Sequence, residues 1–285
     1  INWNNILLGL CTFSIGFFKK IVIADTLSIP VGKAFSNIYI LGFWDAWTAS
    51  LGYSFQLYFD FSGYADMAIG IALLFNIYLP INFNSPYKAL NIQDFWQRWH
   101  MTLSKWLKEY VYFTLGGNRI SKIITLRNLF LTAIVSGIWH GAGWTFIIWG
   151  SLHGGAMILH RLWLNAGFKM NKILAWVLTF AFINISWIIF RAHSIRDALF
   201  IIKKLFRIDE VLYSPLATHK MIFLHVLIFC GFLLCIVKLC PYSSEIINST
   251  SKISVKKIIF CSFLFGVAFI LSIASSSQVF LYFNF

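Results

Sequence analysis

The sequence predicts an all-α, polytopic membrane protein, and two of its properties lead to that prediction. Of its 285 residues, 59% are hydrophobic and only 12% are charged, whereas soluble domains carry about 25% charged residues. The apolar residues also form runs close to the ~20 residues that a membrane-spanning helix needs. Helices are expected in these runs because a helix satisfies its own backbone hydrogen bonds, which lipid cannot do.

Eight segments are apolar enough to be predicted as membrane helices. They are residues 6–24, 43–59, 62–79, 125–140, 142–162, 173–190, 221–239 and 258–273. Several are shorter than a straight spanning helix, so tilted, broken or re-entrant helices are expected among them. Gly137, Gly141 and Gly143 predict a break in the backbone next to His140.

The basic residues lie in short clusters between the apolar runs. The formal net charge is +13, but no single basic face is formed, so the pattern is typical of cytoplasmic loops and lipid headgroups rather than of nucleic-acid binding. The segment from Arg98 to Arg127 holds several basic residues and one acid, Glu109. The positive-inside rule therefore places this loop in the cytoplasm. Basic loops at 191–220 and 252–257 cannot both be oriented by the rule, so the topology beyond residue 190 stays open.

Two amphipathic helices are predicted outside the membrane runs. The first covers residues 96–110, with His100 on its apolar face, and is expected to lie at the interface or to fold back into the protein. The second follows Phe190, where Ser194 and Asp197 have the spacing of a capping box. Its expected apolar stripe consists of Ile195, Leu199, Ile202 and Phe206.

His140 is the strongest candidate for chemistry. An ionisable side chain within a membrane segment is costly and is by default a functional hypothesis, and the ordinary pKa of histidine, ~6.5, suits proton exchange near neutral pH. The alternative is a core histidine satisfied by a neighbouring helix. The catalytic interpretation is favoured because the flanking glycines are expected to leave room for a substrate.

The other polar residues in apolar surroundings have more ordinary explanations. The position of His100 leaves a functional and a structural role equally open, and His153 is interpreted as structural. Asp60 and Asp66 are expected to pair with Arg98 or with lysines and to hold the loop in place, in preference to direct catalysis. The five cysteines form no C-x-x-C pair and have no histidine at ligand spacing, so neither a metal site nor a disulfide framework is predicted. The sequence also lacks a nucleophile elbow and a P-loop.

Several separate motifs resemble those of the membrane-bound O-acyltransferase (MBOAT) family, in the same order. They are residues 60–70 (DFSGYADMAIG), 82–87 (NFNSPY), 95–104 (FWQRWHMTLS), 116–119 (GGNR) and 139–141 (WHG). Within the family, the sequence is most similar to the bacterial branch that acetylates alginate and peptidoglycan, and the proteins that transfer D-alanine to teichoic acid are more distant.

The resemblance implies a fold and a place for this chain within it. The family fold is a ring of helices around a thin centre with a tunnel, and residues 1–285 are expected to form the C-terminal part of one such domain, with the core motifs at 53–163. The chain starts with Ile1, and its first apolar run lacks the features of a signal peptide. It is therefore expected to begin inside a longer protein, after several further helices.

The resemblance also implies roles for individual residues. His140 matches the essential histidine of the family and would act as the general base, taking the proton of a hydroxyl that attacks an acyl thioester. His100 matches the second polar position and would orient the donor or stabilise the oxyanion. The implied substrate-binding residues are Trp139, Arg98, Trp99 and Asn118, and the implied structural polar residues are Asp60, Asp66 and His153. Direct transfer is favoured over a covalent acyl-enzyme.

The expected function is O-acyl transfer, most simply O-acetyl transfer, in a bacterial inner membrane. No bound cofactor or metal is expected; the donor would be acetyl-CoA or another acyl thioester on a carrier. The expected partners are membrane lipid and either an envelope polysaccharide or a periplasmic acetyltransferase, and not nucleic acid. The alternative is an ion-coupled transporter or channel with Gln56, Asp60, Asp66 and His140 along its pathway, although the sequence lacks the repeat common in transporters. A non-catalytic scaffold is a third possibility, but a scaffold would not require an ionisable residue such as His140 within a membrane segment.

Overall fold

The computed structural model describes residues 1–210 and 254–274. Within these ranges the protein has ten α-helices and no strand. They are α1 (Trp3–Phe18), α2 (Asp25–Ser36), α3 (Phe43–Leu74), α4 (Ile92–Trp96), α5 (Met101–Leu107), α6 (Lys122–His140), α7 (Trp144–Asn165), α8 (Lys172–Arg191), α9 (Ile195–Leu205) and α10 (Val255–Ala274). A π-helical turn, Lys19–Ala24, joins α1 to α2, and a second, Lys108–Tyr112, follows α5. The all-α prediction is confirmed.

Five helical stretches among the described residues are long and apolar enough to cross a membrane. They are Trp3–Ser36, which combines α1 and α2, together with α3, α6, α8 and α10. The predicted helices at 125–140, 142–162, 173–190 and 258–273 correspond to α6, α7, α8 and α10. The prediction at 221–239 lies outside the described residues.

The two helices predicted at 43–59 and 62–79 are one continuous helix, α3, which ends at Leu74 rather than at residue 79. Asp60, which separates the two apolar runs together with Phe61, is buried, with 2% exposure. The Asp60 carboxylate lies 2.7 Å from the Lys20 ammonium group. Because its charge is satisfied inside the protein, the helix does not have to end there.

Four glycines bring α1 and α3 into backbone contact. Gly9 and Gly16 on α1 are seven residues apart, as are Gly63 and Gly70 on α3, so each pair lies on one side of its helix. A Cβ on Gly16 would lie 2.5 Å from the Gly63 carbonyl oxygen, and one on Gly9 would lie 2.6 Å from that of Gly70. Small residues of this kind let membrane helices approach closely and gain packing energy.

We expect Gly16→Leu to destabilise the protein by at least the ~1–3 kcal/mol typical of overpacking. The new side chain would meet backbone atoms, which cannot rotate away. The melting temperature of the purified protein, followed by fluorescence-detected size-exclusion chromatography, measures the effect. Gly266→Leu on α10 is the control, since a Cβ there meets nothing within 4 Å. Equal melting temperatures for the two variants would show that the close approach is not needed.

The segment between α3 and α6 folds back into the protein core. Phe95 and Trp99 are each 1% exposed, and the Trp99 ring lies 5.0 Å from that of Trp187 on α8. Of the two positions expected for residues 96–110, the one inside the protein is found for Trp99, Leu103 and Leu107, whereas Trp106 and Tyr110 of the same predicted face are exposed. The continuous helix predicted there is wrong, since α4 ends at Trp96 and α5 begins at Met101. The chain turns between α4 and α5, and Trp99 on this turn packs into the core beside Phe95.

The helix predicted after Phe190 is α9, but its contact face differs from the prediction. The Ser194 hydroxyl accepts a hydrogen bond from the Asp197 N–H at 3.1 Å, as expected of an N-cap. The Asp197 carboxylate instead accepts from the Tyr39 hydroxyl at 2.8 Å. The buried face of α9 consists of Ala198, Ile201 and Leu205, whereas Ile195, Leu199 and Phe206 of the predicted stripe are exposed. Hydrophobicity does not identify the packing face here, because a membrane protein also presents apolar side chains to lipid.

Candidate active site

The site is built at the turn between α6 and α7. The predicted break is confirmed, as α6 ends at His140 and α7 begins at Trp144. The expected room for a substrate at the glycines is not found, however. A Cβ on Gly137 would strike the carbonyl oxygen of Phe146, and one on Gly141 would strike the Phe146 ring. Gly137 therefore serves the close approach of α6 and α7.

His140 lies in an aromatic enclosure and is 7% exposed. Its ring centroid is 4.9 Å from that of Trp139, 5.3 Å from that of Trp149 and 5.3 Å from that of Phe190. Three different helices, α6, α7 and α8, supply these rings. The imidazole is thus held in place by packing from several directions, as a catalytic group requires.

His100 also lies near Trp139. Its ring centroid is 6.4 Å from that of Trp139 and 4.8 Å from that of Phe61, which it meets edge to face. The Nδ1 atom of His100 is 3.1 Å from the Asn82 side-chain oxygen. Burial lowers the pKa of His100 to about 4, so its ring is neutral at physiological pH. The fold therefore brings together the two histidines that the sequence singles out.

A cavity of about 900 Å³ runs from the basic loop towards His140. Lys105, Lys108 and Arg161 contribute basic groups to its wall, and Ser136, Trp149 and His153 belong to the same wall. The Ser136 Oγ and Trp149 Nε1 atoms are buried and have no hydrogen-bond partner among the described residues. Ser136 precedes His140 by one helical turn, and the Trp149 ring contacts the imidazole. The cavity therefore reaches the neighbours of His140, although His140 itself does not line it.

The predicted substrate-binding residues divide into two groups. Asn118 lines the cavity, on a turn that requires glycine because Gly116 and Gly117 have φ values of +100° and +57°. Arg98, Trp99 and Trp139 do not line it. Arg98 is instead paired with Asp94, with 2.6 Å between its Nε atom and a carboxylate oxygen. The substrate-binding roles of these residues stay predictions, and the geometry favours Asn118.

Both ring nitrogens of His153 are hydrogen-bonded within the protein. The indole N–H of Trp96 donates to Nδ1 at 3.2 Å. The Nε2 atom lies 3.1 Å from the Ser186 hydroxyl oxygen, whose own proton goes to the Ile183 carbonyl at 2.8 Å. His153 is therefore the Nε2–H tautomer, donating to Ser186. A fully paired ring that is 1% exposed has the geometry of a structural residue.

Asp60 and Asp66 are paired with consecutive lysines on the first transmembrane stretch. The carboxylate of Asp66 lies 2.6 Å from the Lys19 ammonium group, and Lys20 bridges Asp60 and Asp25 at 2.7 Å each. The expected pairing with lysines is thus found, but Arg98 is not a partner. The ion pairs hold α3 against the stretch Trp3–Ser36 rather than against the loop, because Lys19 and Lys20 face α3 from the π-helical turn.

Sequence reasoning missed several residues of the site. Ser136 carries a usable signal, since it lies four residues before His140 and so shares its helical face. Trp149, Arg161 and Asn82 carry no such signal. Trp149 and Asn82 come near His140 and His100 only through the packing of α7 and of the segment before α4. Arg161 joins the cavity wall in the same way.

Comparisons with known proteins agree with this architecture. Residues 1–195 match the profile of MBOAT, the membrane-bound O-acyltransferase family. The chain is 48% identical to a peptidoglycan O-acetyltransferase of Helicobacter pylori, over 100% of this chain and 58% of the relative. It is 47% identical to the probable alginate O-acetylase AlgI of Pseudomonas aeruginosa, over 67% of this chain and 36% of the relative. For the teichoic acid D-alanyltransferase of Bacillus subtilis these values are 34%, 64% and 50%. The chain thus spans less than two thirds of the length of these relatives.

Proposed function

The chain belongs to the membrane-bound O-acyltransferase family, as its motifs indicate, and from this premise we propose that it forms the catalytic part of an O-acetyltransferase. The enzyme would move an acetyl group from a cytoplasmic thioester to a hydroxyl of peptidoglycan, of another envelope polysaccharide or of a periplasmic partner. The observation that carries this proposal is the position of His140, enclosed by three aromatic rings beside the cavity that contains Lys105, Lys108 and Arg161.

The cavity suits the arm of a thioester donor. Both acetyl-CoA and acyl carrier proteins are anionic, and both present the thioester on a long flexible arm. Lys105, Lys108 and Arg161 would attract the anionic part, and the arm would lie along the cavity with its thioester near Trp149. We place the protein in the bacterial inner membrane, with the basic loop in the cytoplasm, where the positive-inside rule expects it.

The transfer step would be direct. The hydroxyl oxygen attacks the thioester carbonyl carbon while its proton passes to His140. The C–S bond then breaks, and the leaving thiolate takes this proton back from His140, so that an ester and a free thiol are formed. The developing oxyanion needs donors in a water-poor site. Ser136 and Trp149 belong to the cavity wall, and their buried O–H and Nε1–H groups have no hydrogen-bond partner among the described residues, so these two groups are the candidates. A substrate carbonyl would satisfy them.

A transporter or channel is not favoured. Two of the residues that would line its pathway, Asp60 and Asp66, are engaged in ion pairs with Lys20 and Lys19. A non-catalytic scaffold would not need His140 next to a large cavity.

Labelled acetyl-CoA tests the proposal directly. The protein is reconstituted in liposomes, and release of free CoA and transfer of label are followed with a peptidoglycan or alginate acceptor, with and without a periplasmic partner. Acetylated carrier protein is tested in parallel to decide between the two donors. Transfer that depends on His140 supports the proposal, and its absence with both donors and all acceptors contradicts it.

Charge reversal in the basic loop should weaken donor capture. We expect Lys105→Glu with Lys108→Glu to raise the apparent KM for the donor about tenfold at low ionic strength, within the range of electrostatic steering. The effect should shrink as salt is added. The value of kcat should change little, because these charges act before the chemical step. Initial rates over a series of donor and salt concentrations measure both parameters.

The matched control is Lys169→Glu with Lys172→Glu, which changes the net charge equally at exposed positions outside the cavity wall. A similar KM increase in the control would indicate a general charge effect. If KM in the first variant does not depend on salt, the basic loop serves only topology or lipid binding.

A further inference from the structure

Asn82 holds the turn that carries His100. The Met101 N–H donates to the Asn82 backbone carbonyl at 3.0 Å, and the Asn84 N–H donates to the Arg98 carbonyl at 2.9 Å. His100 has a φ of +44°, in the left-handed region that residues other than glycine rarely adopt. Such a conformation persists only where the surrounding structure holds it. The segment at Asn82 provides that support.

The hydrogen bonds of the Asn82 side chain determine which of its terminal atoms is oxygen. The backbone N–H of Thr102 points at the atom assigned as Oδ1 from 3.2 Å, and the Thr102 hydroxyl lies 3.0 Å from it. A backbone N–H can only donate, so this atom is the amide oxygen, which only accepts.

The same oxygen determines the tautomer of His100. The His100 Nδ1 atom lies 3.1 Å from it, and two acceptors would repel each other at this distance. Nδ1 therefore carries a proton and donates it to Asn82. In a neutral imidazole the other nitrogen, Nε2, then has a free lone pair.

The surroundings of His100 keep its ring neutral. Helix α3 places Phe61 against the ring, and α6 places Trp139 and the titratable group His140 near it. Within its own segment Arg98 is ion-paired with Asp94. Burial lowers the pKa of His100 to about 4, so the imidazolium form is scarce above pH 5.

We propose that Asn82 is a positioning residue that holds His100 as the Nδ1–H tautomer, so that Nε2 accepts a hydrogen bond from an amide N–H or a hydroxyl of the acyl donor's arm. His100 itself does not line the cavity, but the next two residues, Met101 and Thr102, do, so the arm would meet the ring at this edge of the cavity. The inference rests on the proposed function, because it assumes an acyl donor. Of the two roles implied for His100 by the family resemblance, it selects orientation of the donor. A neutral ring in this tautomer has no proton on Nε2 to give to an oxyanion.

The tautomer is measured without reference to activity. Nitrogen-15 NMR of histidine-labelled protein in lipid nanodiscs at pH 7, with His100→Gln to assign the signals, should show a protonated Nδ1 and an unprotonated Nε2 for His100. The opposite pattern overturns the inference whether or not the protein transfers acyl groups. Absence of acyl transfer together with the expected pattern would instead count against the proposed function alone.

The pH profile of Asn82→Asp tests the positioning role. This variant keeps the shape and the accepting oxygen, but its carboxylate stabilises the imidazolium form and raises the pKa of His100, typically by about 1–3 units for an opposite charge this close. Because protonated Nε2 cannot accept, the acid limb of kcat/KM for the donor should move to higher pH by at least about one unit. Asn91→Asp is the control, since it introduces a carboxylate into the same segment at the N-cap of α4, where the side chain accepts from the Asp94 N–H, and it should leave the limb in place. Loss of activity at all pH values without a shift would reduce Asn82 to a structural residue and overturn the proposal.

Discussion

His140→Ala should lower the rate of acyl transfer about 10²–10⁴-fold, the contribution typical of a positioned general base. The variant should still be inserted in the membrane, because removing a polar side chain from an apolar enclosure does not oppose insertion. Single-turnover rates with labelled donor and acceptor, at equal amounts of folded protein, measure the loss. His160→Ala is a suitable control, since His160 lies on α7 but is not part of the cavity wall.

Full activity of a well-inserted His140→Ala variant would end the general-base assignment. His100→Ala should reduce turnover less than His140→Ala does, because His100 orients the donor and is only one of several groups that bind it. If the two single variants and the double variant leave the same residual activity, the two histidines act as one unit and their effects cannot be added.

Trp149→Phe should lower kcat about 10²–10³-fold, the loss typical of removing one oxyanion donor. The substitution keeps an aromatic ring against His140 and removes the indole N–H. That N–H is buried without a partner among the described residues, an arrangement that costs about 1–3 kcal/mol unless a ligand satisfies it. The apparent KM for the donor should change little, because a hydrogen bond that forms in the transition state acts mainly on kcat.

Trp187→Phe is the matched control for this prediction. Trp187 is also 1% exposed, and its ring stacks on that of Trp149 with 5.7 Å between the centroids. It differs in not lining the cavity. Equal losses of kcat in the two variants would attribute both to the packing of the aromatic core and would remove Trp149 from the catalytic step.

The site was predictable where its signal is local in the chain. His140 stands out because it is ionisable within an apolar run, and the glycines after it predict the end of α6. The role of those glycines was not predictable, because the atoms that fill the space beside Gly137 and Gly141 belong to Phe146 and reach it only when α7 folds back on α6.

By itself the sequence determined the class of the protein, most of its transmembrane helices, the turn after α6, the N-cap of α9 and the family. These properties depend on hydrophobicity, on spacing and on motifs, all of which are read along a short stretch of chain. Only the tertiary structure decided that α3 is continuous, because the charge of Asp60 is satisfied by Lys20, forty residues away in sequence. It also decided the turn at His100 and the wall of the cavity. Burial and hydrogen bonding between distant segments outweigh local preference at these places, and neither is encoded in neighbouring residues.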